Sequence, residues 1–167
     1  MKAEFDLDAL AERFQRKGFA LAMHLLGNAD DAADAVQEGL SVLWSRRKNL
    51  RPGQDPAAWF FRVLRNHCID QLRKRRLRGG GSAEVEDLPA APADRPDVGA
   101  ERREFNVRLF HELERLDLPH REILLLRDFQ DLSYSQIAAV LGISQGTVMS
   151  RLHRARMLLR ERLKDFL

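Results

Sequence analysis

The sequence predicts an all-α protein made of two small helical domains joined by a flexible acidic linker. Apolar residues recur at helical spacing in both halves of the chain, without strand-like alternation of useful length. Between the halves, residues 77–100 lose this periodicity, become rich in Gly and Pro, and carry 2 basic against 5 acidic side chains. Such a stretch cannot bury enough apolar surface to fold alone. We therefore expect domains at residues 1–76 and 101–167, with the linker at 77–100.

Composition limits the class of protein further. Of the 167 residues, 44% are hydrophobic and 32% are charged, which is typical of a globular protein. The sequence contains no apolar run long enough to span a membrane. The single cysteine, Cys68, excludes an internal disulfide and favours a reducing cytoplasm. The net charge is only +3, but 23 of the 28 basic residues are Arg, which suits contact with phosphates and guanine edges.

The first domain begins with two predicted helices. The first helix ends at Gly27, a residue suited to a C-terminal cap, and the second runs from about residue 29 to 47 with acidic residues near its N-terminus. The apolar face of the first helix contains Leu10, Phe14, Leu21 and Leu25. The apolar stripe of the second contains Val36, Leu40, Leu43 and Trp44.

The third helix has the clearest start in the sequence. Asp55 is a good N-cap and Pro56 fits the first helical position. Its core side is expected to contain Trp59, Phe60, Val63, Leu64 and Ile69, with His67 and Cys68 as packing residues. The helix ends in the basic run 73–76. This run either contacts DNA or is a solvated helix end whose positive charge interacts favourably with the helix dipole.

Three further helices follow in the second domain before the last one. Pro119 opens a helix, and Ser133 with Gln136 forms a capping box for the next. The helix before Pro119 has an apolar stripe of Phe105, Leu109, Leu113 and Leu116. The helix that begins at Pro119 carries Ile123, Leu124 and Leu126. Asp and Glu pairs throughout the chain lie on charged helix faces, where solvated i, i+4 partners are expected rather than catalytic carboxylates.

A helix-turn-helix is predicted at the end of the chain. The spacing of Ala138, Gly142, Ile143 and Val148 fits two helices that cross closely at a left-handed glycine turn. Ser144 can cap the last helix, which turns Val148, Leu152 and Ala155 inward and polar residues outward. Such a helix can enter the DNA major groove, with arginines near phosphates. The alternative is an ordinary helical hairpin with a solvated basic face.

Catalytic patterns are missing from the sequence. The five histidines show no ligand spacing with Cys68 or with one another, and there is no glycine-rich phosphate loop or nucleophile elbow. We therefore expect no enzyme activity, no metal or other cofactor, and no small-molecule substrate.

Several strings in both domains resemble one family, the extracytoplasmic-function (ECF) sigma factors of bacterial RNA polymerase, within the sigma-70 family. In the first domain these are 34–38 (Asp-Ala-Val-Gln-Glu) with Trp44, 58–66 (Ala-Trp-Phe-Phe-Arg-Val-Leu-Arg-Asn), Ile69-Asp70 and 73–76. In the second domain they are 118–127, 132–134, Ile137-Ala138 and 141–156. They cover nearly the whole chain outside the linker.

The resemblance implies a region 2 helical bundle that opens the −10 promoter element and a region 4 helix-turn-helix domain that reads the −35 element. The residues implied at the −10 element are Asn66, Asp70, Arg73, Lys74, Arg75 and Arg76. Those implied at the −35 element are Ser144, Gln145, Thr147, Met149, Ser150, Arg151 and Arg154. Met149 departs from family members with Arg or Lys there, which removes one charged contact.

The resemblance also implies partners. Asp34, Gln37 and Glu38 match positions that meet the clamp helices of the polymerase β′ subunit, although on residues alone they are a solvated polar face. The β flap would dock on residues 105–127. An anti-sigma factor is implied as a further partner, so the protein is expected in the cytoplasm or held at the membrane by that factor.

Two other functions compete with an initiation factor. A stand-alone helix-turn-helix regulator would dimerise and bind a palindromic duplex without polymerase. A pure adaptor would bind polymerase without reading DNA.

Overall fold

The computed structural model describes residues 7–79 and 99–166, and within these ranges every regular element is helical. The chain divides into two compact units, the first built on α1–α3 and the second mostly on α4–α7. The helices are α1 (Leu7–Leu26), α2 (Ala29–Arg46), α3 (Pro56–Leu77), α4 (Ala100–Glu114), α5 (Leu118–Leu124), α6 (Tyr134–Leu141) and α7 (Gln145–Leu163). The all-α class is therefore confirmed. Most of the predicted linker, residues 80–98, lies outside the described residues.

Phenylalanine rings of α1 and α3 form the centre of the first unit. Phe60 is completely buried and stacks on Phe14, with ring centroids 5.0 Å apart and planes 8° from parallel. Phe61 meets Phe60 edge-on at 5.3 Å. Contacts between aromatic rings in these geometries stabilise the fold beyond the effect of burying the rings' apolar surface.

Two glycines allow α1 and α2 to approach this ring closely. A Cβ atom on Gly18 of α1 would lie 2.9 Å from Phe60 Cζ, and one on Gly39 of α2 would lie 3.1 Å from Phe60 Cε2. Real Cβ atoms essentially never come within 3.0 Å of another heavy atom. The Phe60 ring therefore sets the spacing of all three helices.

The predicted helix ends of the first unit are confirmed. Gly27 has a φ of 70°, and its N–H donates to the Met23 carbonyl at 2.8 Å, closing the end of α1. The Asp55 carboxylate accepts from the Ala57 N–H at 2.9 Å, and Pro56 follows as the first residue of α3.

The predicted apolar stripe of α2 is partly wrong, because the Trp44 side chain is 52% exposed. The buried face is centred instead on small residues: Ala32, Ala35, Val36, Gly39 and Leu43. At about 100° per residue, Trp44 lies well away from the centre of this face. Trp59 of α3, expected in the core, is only half-buried.

The second unit has an aliphatic core with one irregular turn. Ile123, Leu124 and Leu126 are buried as predicted, and so are Leu113 and Leu116. The helix then widens into a π-helical turn, Leu125–Phe129, where the Gln130 N–H donates to the Leu125 carbonyl at 3.0 Å. The apolar pattern alone indicates a regular helix there, because it does not distinguish the two hydrogen-bond spacings.

A buried carboxylate joins α4 to α7. Glu112 is 2% exposed, with Arg108 Nη2 at 3.2 Å from its Oε1 and Arg162 Nη1 at 3.6 Å from its Oε2. Burial alone would raise the pKa of Glu112, but the guanidinium groups of Arg115 and Arg108, with His111, hold it below its ordinary value. Glu112 therefore has an i, i+4 partner in Arg108. The expectation that such pairs are solvated is wrong for Glu112, because its side chain is buried.

Candidate nucleic-acid interface

Local hydrogen bonds build the helix-turn-helix as the sequence predicts. The Ser133 N–H donates to Gln136 Oε1 at 2.8 Å, and the Gln136 N–H donates to Ser133 Oγ at 3.1 Å, a complete capping box for α6. Gly142 follows with a φ of 67°, and the Ile143 N–H donates to the Ala138 carbonyl at 3.1 Å. Together these contacts fix the turn into α7.

The first turn of α7 is held by its own side chains. Ser144 Oγ accepts from the Thr147 N–H at 3.1 Å and lies 2.9 Å from Thr147 Oγ1. The Ser150 hydroxyl donates to the Thr147 carbonyl at 3.2 Å. These hydroxyls are therefore committed to shaping the helix start, whereas Gln145 and Arg154 have no such bond among the described residues.

The outward face of α7 brings most of the predicted residues together. Val148, Leu152 and Ala155 are buried, so the opposite face is open to solvent. The exposed members of the predicted set are Ser144, Gln145, Met149, Ser150 and Arg154, and the half-buried members are Thr147 and Arg151. The result is a polar and basic surface along the helix that follows the turn.

A side-chain pair supports α7 from the preceding π-helical turn. Arg156 donates from Nε to Asp128 Oδ2 at 3.2 Å and from Nη2 to Asp128 Oδ1 at 2.5 Å. Such a two-point contact fixes geometry better than a single charge does. Although Arg156 also faces outward, its guanidinium is thus used within the unit.

A second polar face lies on α3. Asn66, Asp70 and Arg73 are exposed and follow the i, i+4, i+7 spacing of one helix face, with Arg73 Nη1 at 3.8 Å from Asp70 Oδ1. Lys74 and Arg76 are also exposed. Arg62, one turn before Asn66, is exposed on the same face and adds positive charge there.

Arg75 is placed differently from its basic neighbours. Its guanidinium donates to the Leu26 carbonyl at 2.8 Å and hydrogen-bonds the Asp31 carboxylate. It is therefore turned toward the α1–α2 connection rather than lying on the α3 face with Arg73.

The third predicted cluster lies on α2. Asp34, Gln37 and Glu38 are all exposed on one side of the helix. Trp44 extends this side, with the Arg47 guanidinium 4.3 Å from its ring centroid. Gln37 and Trp44 help to line a surface cavity of about 330 Å³. A large exposed aromatic beside charged groups is a common feature of protein interfaces.

Neither a metal site nor a membrane helix is found in the described parts of the chain. No group of three or more His, Cys, Asp or Glu side chains among residues 7–79 and 99–166 could hold a metal ion. No helix in the same ranges is long and apolar enough to cross a bilayer. Burial raises the pKa of the Cys68 thiol to about 12, which keeps it protonated at neutral pH.

Comparison with known families identifies both units. Residues 10–78 match the family model for sigma-70 region 2, and residues 107–159 match the model for sigma-70 region 4. The two matches follow the order of the two helical units in the chain.

Known relatives agree with these matches. The chain is 37% identical over 139 residues to the ECF RNA polymerase sigma factor EcfG of Rhodopseudomonas palustris, covering 82% of this chain and 74% of EcfG. It is 32% identical over 155 residues to the ECF RNA polymerase sigma factor SigE of Mycolicibacterium smegmatis, covering 92% of this chain and only 60% of SigE.

A solved structure has the same fold. The sigma factor RpoE of Bartonella quintana, solved in complex with the anti-sigma factor NepR, superposes with a TM-score of 0.75 at 29% identity, covering 95% of this chain and 97% of RpoE. Together with the relatives and the two family models, this match shows that the chain belongs to the ECF sigma factors of the sigma-70 family.

Proposed function

We propose that this chain binds the core of bacterial RNA polymerase and directs it to specific promoters. The observation that carries the proposal is that one chain combines a fully capped helix-turn-helix with a second exposed polar and basic face on α3. Matches to regions 2 and 4 on those same units support it. The chain acts as an initiation factor and has no catalytic role of its own.

The α7 face reads the −35 element. The start of α7 enters the major groove, where Gln145 reaches base edges and Arg154 reaches a phosphate or a guanine. The other contributors are Ser144, Thr147, Met149, Ser150 and Arg151. Met149 is 57% exposed and cannot donate a hydrogen bond, so it contributes apolar contact in place of a charged one.

The α3 face opens the −10 element. Asn66 carries an amide that can pair with the edge of a base turned out of the duplex, a step that costs a few kcal/mol. Asp70 and Arg73 lie along the same face, and Lys74 and Arg76 add positive charge near the end of the helix. Arg75 belongs to this basic run but acts through its internal contacts.

The α2 face binds the clamp helices of the polymerase β′ subunit through Asp34, Gln37 and Glu38. The exposed Trp44 ring adds apolar area next to these polar groups. The β flap docks on residues 105–127, where Val107 of α4 is 68% exposed.

Restraint of the free protein by an anti-sigma factor is part of the proposal. It is supported by the similar RpoE structure, which contains the anti-sigma factor NepR. Because DNA and polymerase are its partners, the protein works in the cytoplasm, or is held at the membrane by a membrane-bound anti-sigma factor.

Reconstitution with core polymerase tests this function. We expect promoter-specific transcripts from linear templates that core enzyme alone does not produce. A protein that forms no holoenzyme, and instead dimerises on a palindromic duplex, would be a stand-alone regulator. A protein that binds core but gives no specific transcript would be an adaptor.

Two matched arginine variants locate the −35 contact. Arg154→Ala should weaken promoter binding through the −35 element while core binding stays intact. Arg160→Ala removes the same charge about 9 Å further along α7 and should have a smaller effect. Equal losses for the two variants would mean that general positive charge, rather than the position of Arg154, governs binding.

A further inference from the structure

The Arg75 side chain joins the ends of three helices. From the end of α3, its Nη1 donates to the carbonyl of Leu26, the last residue of α1, at 2.8 Å. Its Nη2 hydrogen-bonds the carboxylate of Asp31, in the first turn of α2. One planar guanidinium therefore bridges two acceptors that lie on opposite sides of the α1–α2 connection.

Both acceptors suit a cation at this place. The Leu26 carbonyl is one of the last in α1, which have no partner within the helix and carry its negative dipole end. The Arg75 and Asp31 side chains are 31% and 39% exposed, so the pair is partly shielded from water. Lysine could not make both contacts with the same geometry, because its charge is compact and lacks the planar fork.

Fixing Arg75 also fixes the direction of its neighbours. Successive side chains on an α-helix are rotated by about 100°. With Arg75 turned inward, Lys74 and Arg76 project about 100° to either side, and Arg73 projects about 160° away. The burial pattern agrees, because Arg73, Lys74 and Arg76 are exposed while Arg75 is half-buried.

We propose that Arg75 and Asp31 act as a positioning pair for the −10 face, holding the rotation of the end of α3 so that Lys74 and Arg76 reach the DNA backbone. This inference rests on the proposed function of that face. Arg75 therefore makes no phosphate contact itself. An acidic residue, Asp31, thus supports DNA opening although its own charge repels DNA.

The test compares holoenzymes that carry Arg75→Gln, Asp31→Asn, both changes, or Lys74→Gln as a direct-contact control. Promoter opening is measured by permanganate reactivity of unpaired thymines. Promoter affinity is measured at several salt concentrations. Arg75→Gln, which removes both contacts, should reduce opening by about 3- to 10-fold, as expected for losing a typical, partly exposed hydrogen bond. Asp31→Asn, which keeps the Leu26 contact, should reduce opening by a smaller factor, and the double variant should be no worse than Arg75→Gln.

The salt dependence separates positioning from simple stabilisation. Misdirected Lys74 and Arg76 would release fewer counterions, so Asp31→Asn should make the slope of log affinity against log salt shallower. A purely structural role would lower the unfolding temperature and leave this slope unchanged below it. Simple charge removal at Asp31 would instead strengthen binding, and either result would overturn the inference.

Folding and the underlying function are controlled separately. Tryptophan fluorescence reports whether the first unit is folded, because both tryptophans lie there. If Arg75→Gln does not fold, Arg75→Lys replaces it and should still weaken opening. Failure of the wild-type holoenzyme to open promoters would refute the proposed function, whereas wild-type opening in all pair variants would refute only the positioning pair.

Discussion

Replacing Gly18 by alanine should destabilise the first unit, although alanine is the better helix former. The added Cβ would lie 2.9 Å from Phe60 Cζ, 3.0 Å from Phe60 Cε1 and 3.1 Å from Leu64 Cδ2. Phe60 cannot swing away, because its ring is fully buried and stacked on Phe14. The neighbouring helices must therefore shift to accept the methyl group.

Two opposing effects set the size of the loss. Gly→Ala within a helix gains about 1 kcal/mol in helix propensity. Overpacking a filled core costs about 1–3 kcal/mol, and three close contacts favour the middle of this range. We expect the free energy of unfolding to fall by about 1 kcal/mol for Gly18→Ala. Gly39→Ala has only one contact below 3.6 Å, at 3.1 Å, and should be close to neutral.

Urea unfolding followed by tryptophan fluorescence measures this loss. Trp44 and Trp59 are the two tryptophans of the sequence, and both lie in the first unit, so the second unit does not contribute to the signal. Gly39→Ala serves as the matched control, because it makes the same chemical change beside the same ring.

A background with a smaller side chain tests the cause directly. In Phe60→Leu the ring atoms that meet the new methyl group are gone, so Gly18→Ala should become neutral or stabilising. The coupling between the two changes should be about 1–2 kcal/mol. If Gly18→Ala has the same effect with Phe60 and with leucine at that position, the close contact does not explain the need for glycine.

Three further predictions concern individual residues. Glu112 has a lowered pKa, so its stabilisation of the second unit is full above the ordinary glutamate pKa of about 4.3 and is lost as the pH falls through its folded value. Glu112→Gln should make the stability of the second unit, followed by Tyr134 fluorescence, less dependent on pH in acid. An unchanged pH profile would contradict the stabilisation of the Glu112 carboxylate by Arg115 and Arg108. Cys68, with its pKa near 12, should react slowly with iodoacetamide at neutral pH until denaturant is added; fast labelling of the native protein would argue against burial. Gly142→Ala should lower the free energy of unfolding by about 1–2 kcal/mol, because Gly142 has a φ of 67°. Gly142→Asn should lower it less, as measured by thermal unfolding. Equal losses for the two variants would argue against backbone strain as the cause.

The features that the sequence predicted well depend on neighbours along the chain. The caps at Asp55, Ser133 and Ser144 and the turn at Gly142 involve partners within five residues. Their geometry follows from residue type and spacing, which is why the helix-turn-helix and the outward face of α7 could be outlined without coordinates.

The features that it missed depend on contacts between distant segments. Periodicity places Trp44 in the core because large apolar residues dominate such a pattern, whereas Ala32, Ala35 and Gly39 define the buried face. The contact between Arg75 and Asp31 is not visible in the sequence, because the two residues lie 44 positions apart. Local charge patterns contain no information about such a partner.

The contact of one ring with two glycines also limits how this sequence can change over evolutionary time. Positions 18, 39 and 60 share a single small volume, so any larger residue at 18, or one larger than alanine at 39, requires a smaller residue in place of Phe60. Each single step toward such an exchange passes through a less stable protein. Natural variation at these three positions should therefore be correlated, and chains with a bulky residue at 18 should lack the aromatic ring at 60.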